Sequence, residues 1–115
     1  MTLTALIPIF PTADLDRTEA FSHGLGFETY VRYDDYLTTH YQSVELHVQL
    51  IRGVFAPRTA YVRVTGVDAW HTRAQQLGSG ELLSAPTDQF YGIREFSLRD
   101  PDGNVLHLGE YLKQA

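Results

Sequence analysis

Two stretches of this chain repeat one another, and the repeat limits the fold more than any other feature. Ala13–Gly26 aligns without gaps against Thr65–Gly78. Each opens near an acid that can cap a helix, Asp14 or Asp16 in the first and Asp68 in the second. Each closes on Leu-Gly, where glycine permits the left-handed residue that ends a helix. Between these limits Ala20, Phe21 and Leu25 fall on one helical face, as do Trp70, Ala74 and Leu77. A short strand is predicted before each helix, at Leu6–Phe10 and Ala60–Val64. Three follow each helix: Glu28–Arg32, Tyr36–His40 and Val44–Ile51 in the first half, Glu81–Ser84, Glu95–Arg99 and Val105–Glu110 in the second. The last strands also match, Val44–Val48 against Asn104–Leu108. The turn Asp100–Asn104 (Asp-Pro-Asp-Gly-Asn) separates the final two.

The pattern reads as βαβββ twice. The expected fold is α+β, a single domain over 1–115. Module one covers about 1–52, a linker 53–58, and module two about 59–115. Two such units can curve a mixed sheet around a groove. Pro8 donates no ladder hydrogen bond, so its strand belongs at an edge or beside a hinge.

Composition narrows the function classes. The formal net charge of -5 disfavours nucleic-acid backbones and favours cationic ligands. The absence of cysteine removes disulfides, thiolate catalysis and zinc-thiolate sites. No apolar run approaches the ~20 residues of a membrane span, and Met1–Ala5 has no basic segment leading into an apolar one, so a cytoplasmic protein is expected. Seven tyrosines contribute to a 12% aromatic share. Tyr30, Tyr33, Tyr36, Tyr41 and Tyr91 stand beside polar neighbours. Each alone is an ordinary strand residue; as a set they suggest amphipathic stacking surfaces.

Ala5–Phe10, with the helix through Phe21 and the ending Leu25-Gly26-Phe27, resembles the first module of the bleomycin-resistance proteins. The run Tyr91–His107, with Arg94-Glu95-Phe96 and the Asp100–Asn104 turn, resembles their second-module signature. Those proteins are the antibiotic-binding branch of the glyoxalase, or vicinal-oxygen-chelate, superfamily. The resemblance implies a homodimer that exchanges its first strand about a hinge at Pro8. It also implies two ligand grooves lined by both subunits. Groove aromatics then fall on Tyr36, Tyr61 and Tyr91, a polar position on Gln49, and an acidic loop on Asp34 and Asp35. The family often carries Trp or Phe where this chain has Tyr61 and Tyr91.

Enzymes of the superfamily hold a divalent metal with His, Glu or Gln on the first and last strands of each module. The matching first-strand positions here, Ile7 and Thr59, offer no ligand. The last-strand positions are His47 and His107, and Glu45 shares the face of His47. His47 and His107 are either ligand contacts or histidines bonded to backbone or tyrosine. His47, His107 and Glu45 form the alternative metal set. His23 and His71 are expected to be exposed on helices, the orientation of His40 is open, and Arg94-Glu95 is either an ion pair on a strand or an exposed pair of little energetic weight. No Ser-His-Asp order or phosphate loop is present. The expectation is therefore a non-catalytic module without cofactor that sequesters a flat, cationic bleomycin-family glycopeptide antibiotic. The alternatives are a metal-dependent lyase, isomerase or dioxygenase, and a binder of another aromatic small molecule.

Overall fold

A computed structural model describes residues 1–113. It shows an α+β fold of two helices and two mixed sheets, so each module keeps its own sheet. The first contains β1 (Ile9–Thr12), β2 (Glu28–Arg32), β3 (Tyr36–Tyr41) and β4 (Val44–Leu50), in the order β1-β4-β3-β2. The second contains β5 (Thr59–Arg63), β6 (Glu81–Leu82), β7 (Thr87–Asp88), β8 (Ile93–Arg99) and β9 (Val105–Tyr111). Its order is β5-β9-β8-β6, with β7 also on β8. In each, the first strand runs parallel to the last.

The first strand begins three residues later than its apolar letters predict. Residues 1–8 form an arm without regular structure, on which Leu3 and Leu6 are both 100% exposed. Pro8 stands at the root of that arm, its carbonyl accepting the His47 N–H at 3.1 Å. The edge strand also tolerates Pro11, which need not donate to a second neighbour.

Helix α1 (Leu15–Leu25) has the predicted ends. Asp14 accepts the Arg17 N–H at 3.1 Å, and Gly26 adopts φ 100°. Helix α2 (Val67–Gln75) does not. Its N-cap is Gly66, and Asp68 lies in the first turn, where it pairs with Arg94 at 3.1 Å. The orphan N–H groups of Gly66 and Val67 instead donate to the Glu110 carboxylate, at 2.9 and 3.0 Å. These bonds hold the Glu110 carboxyl below its ordinary range, Val67 contributing most. The helix stops before Gly78, so its second predicted boundary is also corrected.

One core joins the modules. Phe10, Phe21 and Leu46 from the first half cluster with Phe96, Leu98 and Leu108 from the second. Burying each such side chain contributes about 1.5–3 kcal/mol before entropy is subtracted. On β4, β8 and β9 the core takes alternate positions, Leu46 and Val48, Phe96 and Leu98, and Leu106 and Leu108. The positions between them are therefore directed to the opposite sheet faces.

The turn between β8 and β9 clasps the modules together. Asp100 accepts the backbone N–H groups of Asp102 and Asn104 and the Asn104 side-chain amide, at 2.8–2.9 Å. Burial nevertheless pushes its carboxyl upward. The Asn104 amide also donates to the Pro11 carbonyl at 2.9 Å. Asp102, its side chain only 2% exposed, accepts from Thr12 and Arg17 at 2.6 Å, from Ala13 N–H at 3.0 Å and from Thr18 at 3.1 Å. Among the described residues no helix is long and apolar enough to cross a membrane.

Candidate functional site

The face of the first sheet turned from the core carries Tyr36, Thr38 and His40 on β3 and Glu45, His47 and Gln49 on β4. Register sets Tyr36 opposite Gln49, Thr38 opposite His47, and His40 opposite Glu45. His47 uses both ring nitrogens here. Nδ1 lies 2.9 Å from the Tyr36 hydroxyl, and Nε2 lies 3.1 Å from Glu45 Oε1. Tyr36 and His47 meet edge to face, and burial raises the Tyr36 phenol above its ordinary range. Gln49 is exposed beside them. Asp34 and Asp35 sit exposed in the turn just before Tyr36; the Asp35 carbonyl accepts the Leu50 N–H at 2.9 Å. His40, left open by the sequence, stacks on Tyr30 with ring centroids 4.2 Å apart.

The corresponding face of the second sheet is built differently. Tyr61 on β5 and Tyr91 just before β8 are 46% and 48% exposed. Both hydroxyls donate to one carboxylate, that of Glu95: Tyr61 at 2.8 Å to Oε2, and Tyr91 to Oε1. Tyr61 reaches Glu95 by lying across β9 at Gly109. A Cβ at that position would overlap the Tyr61 hydroxyl and come within 2.9 Å of Ile93 Cγ2. Burial and the bond to Glu95 both raise the Tyr61 phenol, burial more, so it stays a neutral donor near neutral pH. His107 stands opposite Tyr61 and Ser97 in register, its Nδ1 2.6 Å from Ser97 Oγ. Arg63 stacks on Tyr111, 3.8 Å from the ring centroid.

No protein-family model matches the chain, and no curated protein matches it. Solved structures do. A bleomycin resistance determinant encoded on the transposon Tn5 superposes with a TM-score of 0.84 at 24% identity, covering 95% of this chain and 98% of that one. A bleomycin-binding protein complexed with bleomycin superposes with a TM-score of 0.82 at 22% identity, over 94% of this chain and 98% of that one. The chain has the fold of the bleomycin-binding proteins. A glyoxalase/bleomycin resistance protein/dioxygenase from Alicyclobacillus acidocaldarius shares it more loosely, with a TM-score of 0.75 at 23% identity over 96% of this chain and 92% of that one. The bleomycin-binding fold is thus present here at low sequence identity.

Within that fold the residues singled out from sequence fall into two sets. Tyr36, Gln49, His47 and Glu45 share the first sheet, with Asp34 and Asp35 at its margin. Tyr61, Tyr91 and His107 share the second. Among the described residues no hydrogen bond or ring contact joins the two sets. The residues of the alternative metal set fall on both sheets: Glu45 and His47 bond to each other on the first, and His107 belongs to the second. No group of three or more His, Cys, Asp or Glu among the described residues could hold a metal ion.

Glu95 is the residue that the sequence reading missed. Adjacent strand residues point to opposite faces, so Arg94 cannot pair with it across the sheet. Arg94 pairs with Asp68 and Asp88 instead, at 3.1 and 3.0 Å. The available signal was alternation: Glu95 and Ser97 alternate with the core residues Phe96 and Leu98. His71, expected in solvent, is half-buried with its ring 5.2 Å from Phe96.

Proposed function

We propose that this protein binds and sequesters bleomycin-family glycopeptide antibiotics without transforming them, as a cytoplasmic homodimer that confers resistance. The observation that carries this reading is the exposure of Tyr61 and Tyr91. Their rings are half open to solvent while their hydroxyls are tied down, which presents stacking surfaces with little left to order on binding. A solved structure with this fold is a bleomycin-binding protein complexed with bleomycin.

In this reading Tyr36, Tyr61 and Tyr91 stack on the planar part of the drug, Gln49, His47 and His107 offer hydrogen bonds, and Asp34 and Asp35 lend negative potential at the margin. Each contact contributes on the order of 1 kcal/mol, and a micromolar affinity needs about -8 kcal/mol. The contacts of one sheet face fall short of that sum, so we assign the groove to a dimer in which each subunit lends one face. The free arm supports the assignment. Leu3 and Leu6 stand in solvent, and the radius of gyration, 14.6 Å, exceeds the value of about 13 Å for a compact chain of this length. Exchange of this arm about Pro8 would cover both leucines. Resistance then follows from mass action, since bound drug is withheld from its target.

Calorimetry with bleomycin tests the proposal. Saturable binding at two sites per dimer, with a Kd of about 1 μM or below, is the expected result. No heat at tens of micromolar protein rejects it.

A further inference from the structure

Glu95 differs in one respect from most carboxylates of this chain. Asp16 and Glu19 pair with Arg32, Asp68 and Asp88 with Arg94, Glu81 with Arg99, Asp102 with Arg17, and Glu45 with His47. Glu110 caps a helix and Asp100 closes a turn. Glu95 forms no ion pair among the described residues, and its hydrogen bonds come from two neutral phenols. Two donors stabilise a carboxylate without neutralising it. The charge therefore remains, fixed in position, half-buried and flanked by the rings of Tyr61 and Tyr91. Phe90 extends the aromatic surface, its ring 5.1 Å from that of Tyr91 and its side chain fully open to solvent. Arg63 stacks most closely on Tyr111 and lies farther from the Tyr61 ring, 3.8 and 5.4 Å from the two centroids, without pairing with Glu95.

A fixed negative charge beside several ring faces suits one class of ligand group, a weakly hydrated organic cation. The carboxylate attracts it by charge and the rings by their quadrupoles. An anion would be repelled, and a neutral group would leave the carboxylate partly desolvated without return.

We propose that Glu95 is the cation anchor of the site, receiving the ammonium-type terminus of a flat aromatic ligand beside the rings of Tyr61 and Tyr91. The inference rests on the drug-binding reading above and sharpens it: recognition of the positive terminus belongs to this single carboxylate, and Asp34 and Asp35 act only at a distance. Gly109 is a positioning residue, since it lets Tyr61 lie within reach of Glu95.

The test crosses ligand charge with residue charge. Wild type and Glu95→Gln, which keeps an acceptor for one phenol, are titrated with bleomycin and with its acid lacking the terminal amine. A second pair of probes avoids bleomycin: an acridine bearing a trimethylammonium-alkyl tail and its neutral tert-butyl-alkyl counterpart. Melting temperature and near-UV dichroism verify that the variant keeps its fold. The expected result is that wild type prefers each cationic probe over its partner by about tenfold or more, that Glu95→Gln loses this preference, and that the salt dependence of binding flattens with it. If bleomycin binds and Glu95→Gln retains the preference, the anchor is overturned and the drug-binding reading stands. If bleomycin does not bind while the acridine preference depends on Glu95, the anchor stands and the drug-binding reading falls. If neither pair binds, both fall.

Discussion

The two sheets carry the same backbone layout and opposite side-chain logic. Their registers correspond position by position. His47 matches His107, Thr38 matches Ser97, Ile9 matches Tyr61, Tyr36 matches Glu95, and Gln49 matches Gly109. In the first sheet the ladder carboxylate, Glu45, is satisfied by an imidazole, and the tyrosine bonds to that same ring. In the second the carboxylate has moved to the place of the tyrosine, and a tyrosine has replaced Ile9. A glycine has replaced Gln49, so the new ring can cross the strand. Three exchanges thus turn a self-contained polar cluster into an uncompensated charge framed by phenols. The βαβββ scaffold is present twice, and its two outer faces differ at these alternate positions.

That contrast can be broken most directly at the element on which both faces depend. Asp102 holds the start of α1 through four bonds with its carboxylate almost fully buried. Asp102→Ala should cost about 2–4 kcal/mol, the range for removing a charged acceptor from buried donors. Denaturant unfolding checks the value. A loss below about 0.5 kcal/mol would mean that the modules are held by their apolar contacts alone.

Gly109→Ala and Gln49→Ala then compare matched positions. The first introduces a Cβ into the space of the Tyr61 hydroxyl. It should weaken binding of a cationic aromatic ligand by about tenfold and cost about 1–3 kcal/mol of stability through overpacking. The second trims an exposed side chain and should change stability by no more than about 0.5 kcal/mol. Equal effects at the two sites, read by titration and thermal melting, would erase the distinction between the faces.

The smallest effect is an acid-side one shared by both modules. The bond from Thr29, with those from Arg32, holds the Glu19 carboxyl below its usual range, and two backbone N–H groups do so for Glu110. A depressed carboxyl stabilises the folded state fully above its unfolded pKa of about 4.3, and that stability is lost as pH falls through the folded value. Melting temperature should therefore decline below about pH 4.3, and Glu110→Gln should shallow the decline. Asp100, raised by burial, has the opposite sign: its contribution is greatest at low pH and fades as pH rises through its folded value. An unchanged acid slope in Glu110→Gln would remove the α2 cap from the list of stabilising features.

Much of the architecture was readable because it is local. Asp14, Gly26 and the periodicity of Phe21 and Leu25 define α1 within a dozen residues. The Asp100–Asn104 turn separates β8 from β9. What escaped the sequence is long-range. The cap of α2 is Glu110, 43 positions beyond the amide it receives, so Asp68 looked like the obvious candidate. The first strand starts later than its letters predict because Leu6 and Ile7, though apolar, lie in the free arm. The two-residue strand β7 has too little sequence to show a period. The site divides in the same way. Tyr36, His47 and Gln49 are named by the family resemblance, and the β3–β4 register brings them onto one face. Glu95 was assigned to Arg94 by proximity in sequence, and only the ladder reveals its two phenol partners.

The clasp formed by Asp100, Asp102 and Asn104 bears on how such chains should be classified. Its hydrogen bonds close the turn on itself and fasten it to β1 and the start of α1, and none of them involves Tyr61, Tyr91 or Glu95. A search keyed to it will collect proteins by their chassis. Sorting them by cargo requires reading the residues two apart along β5, β8 and β9.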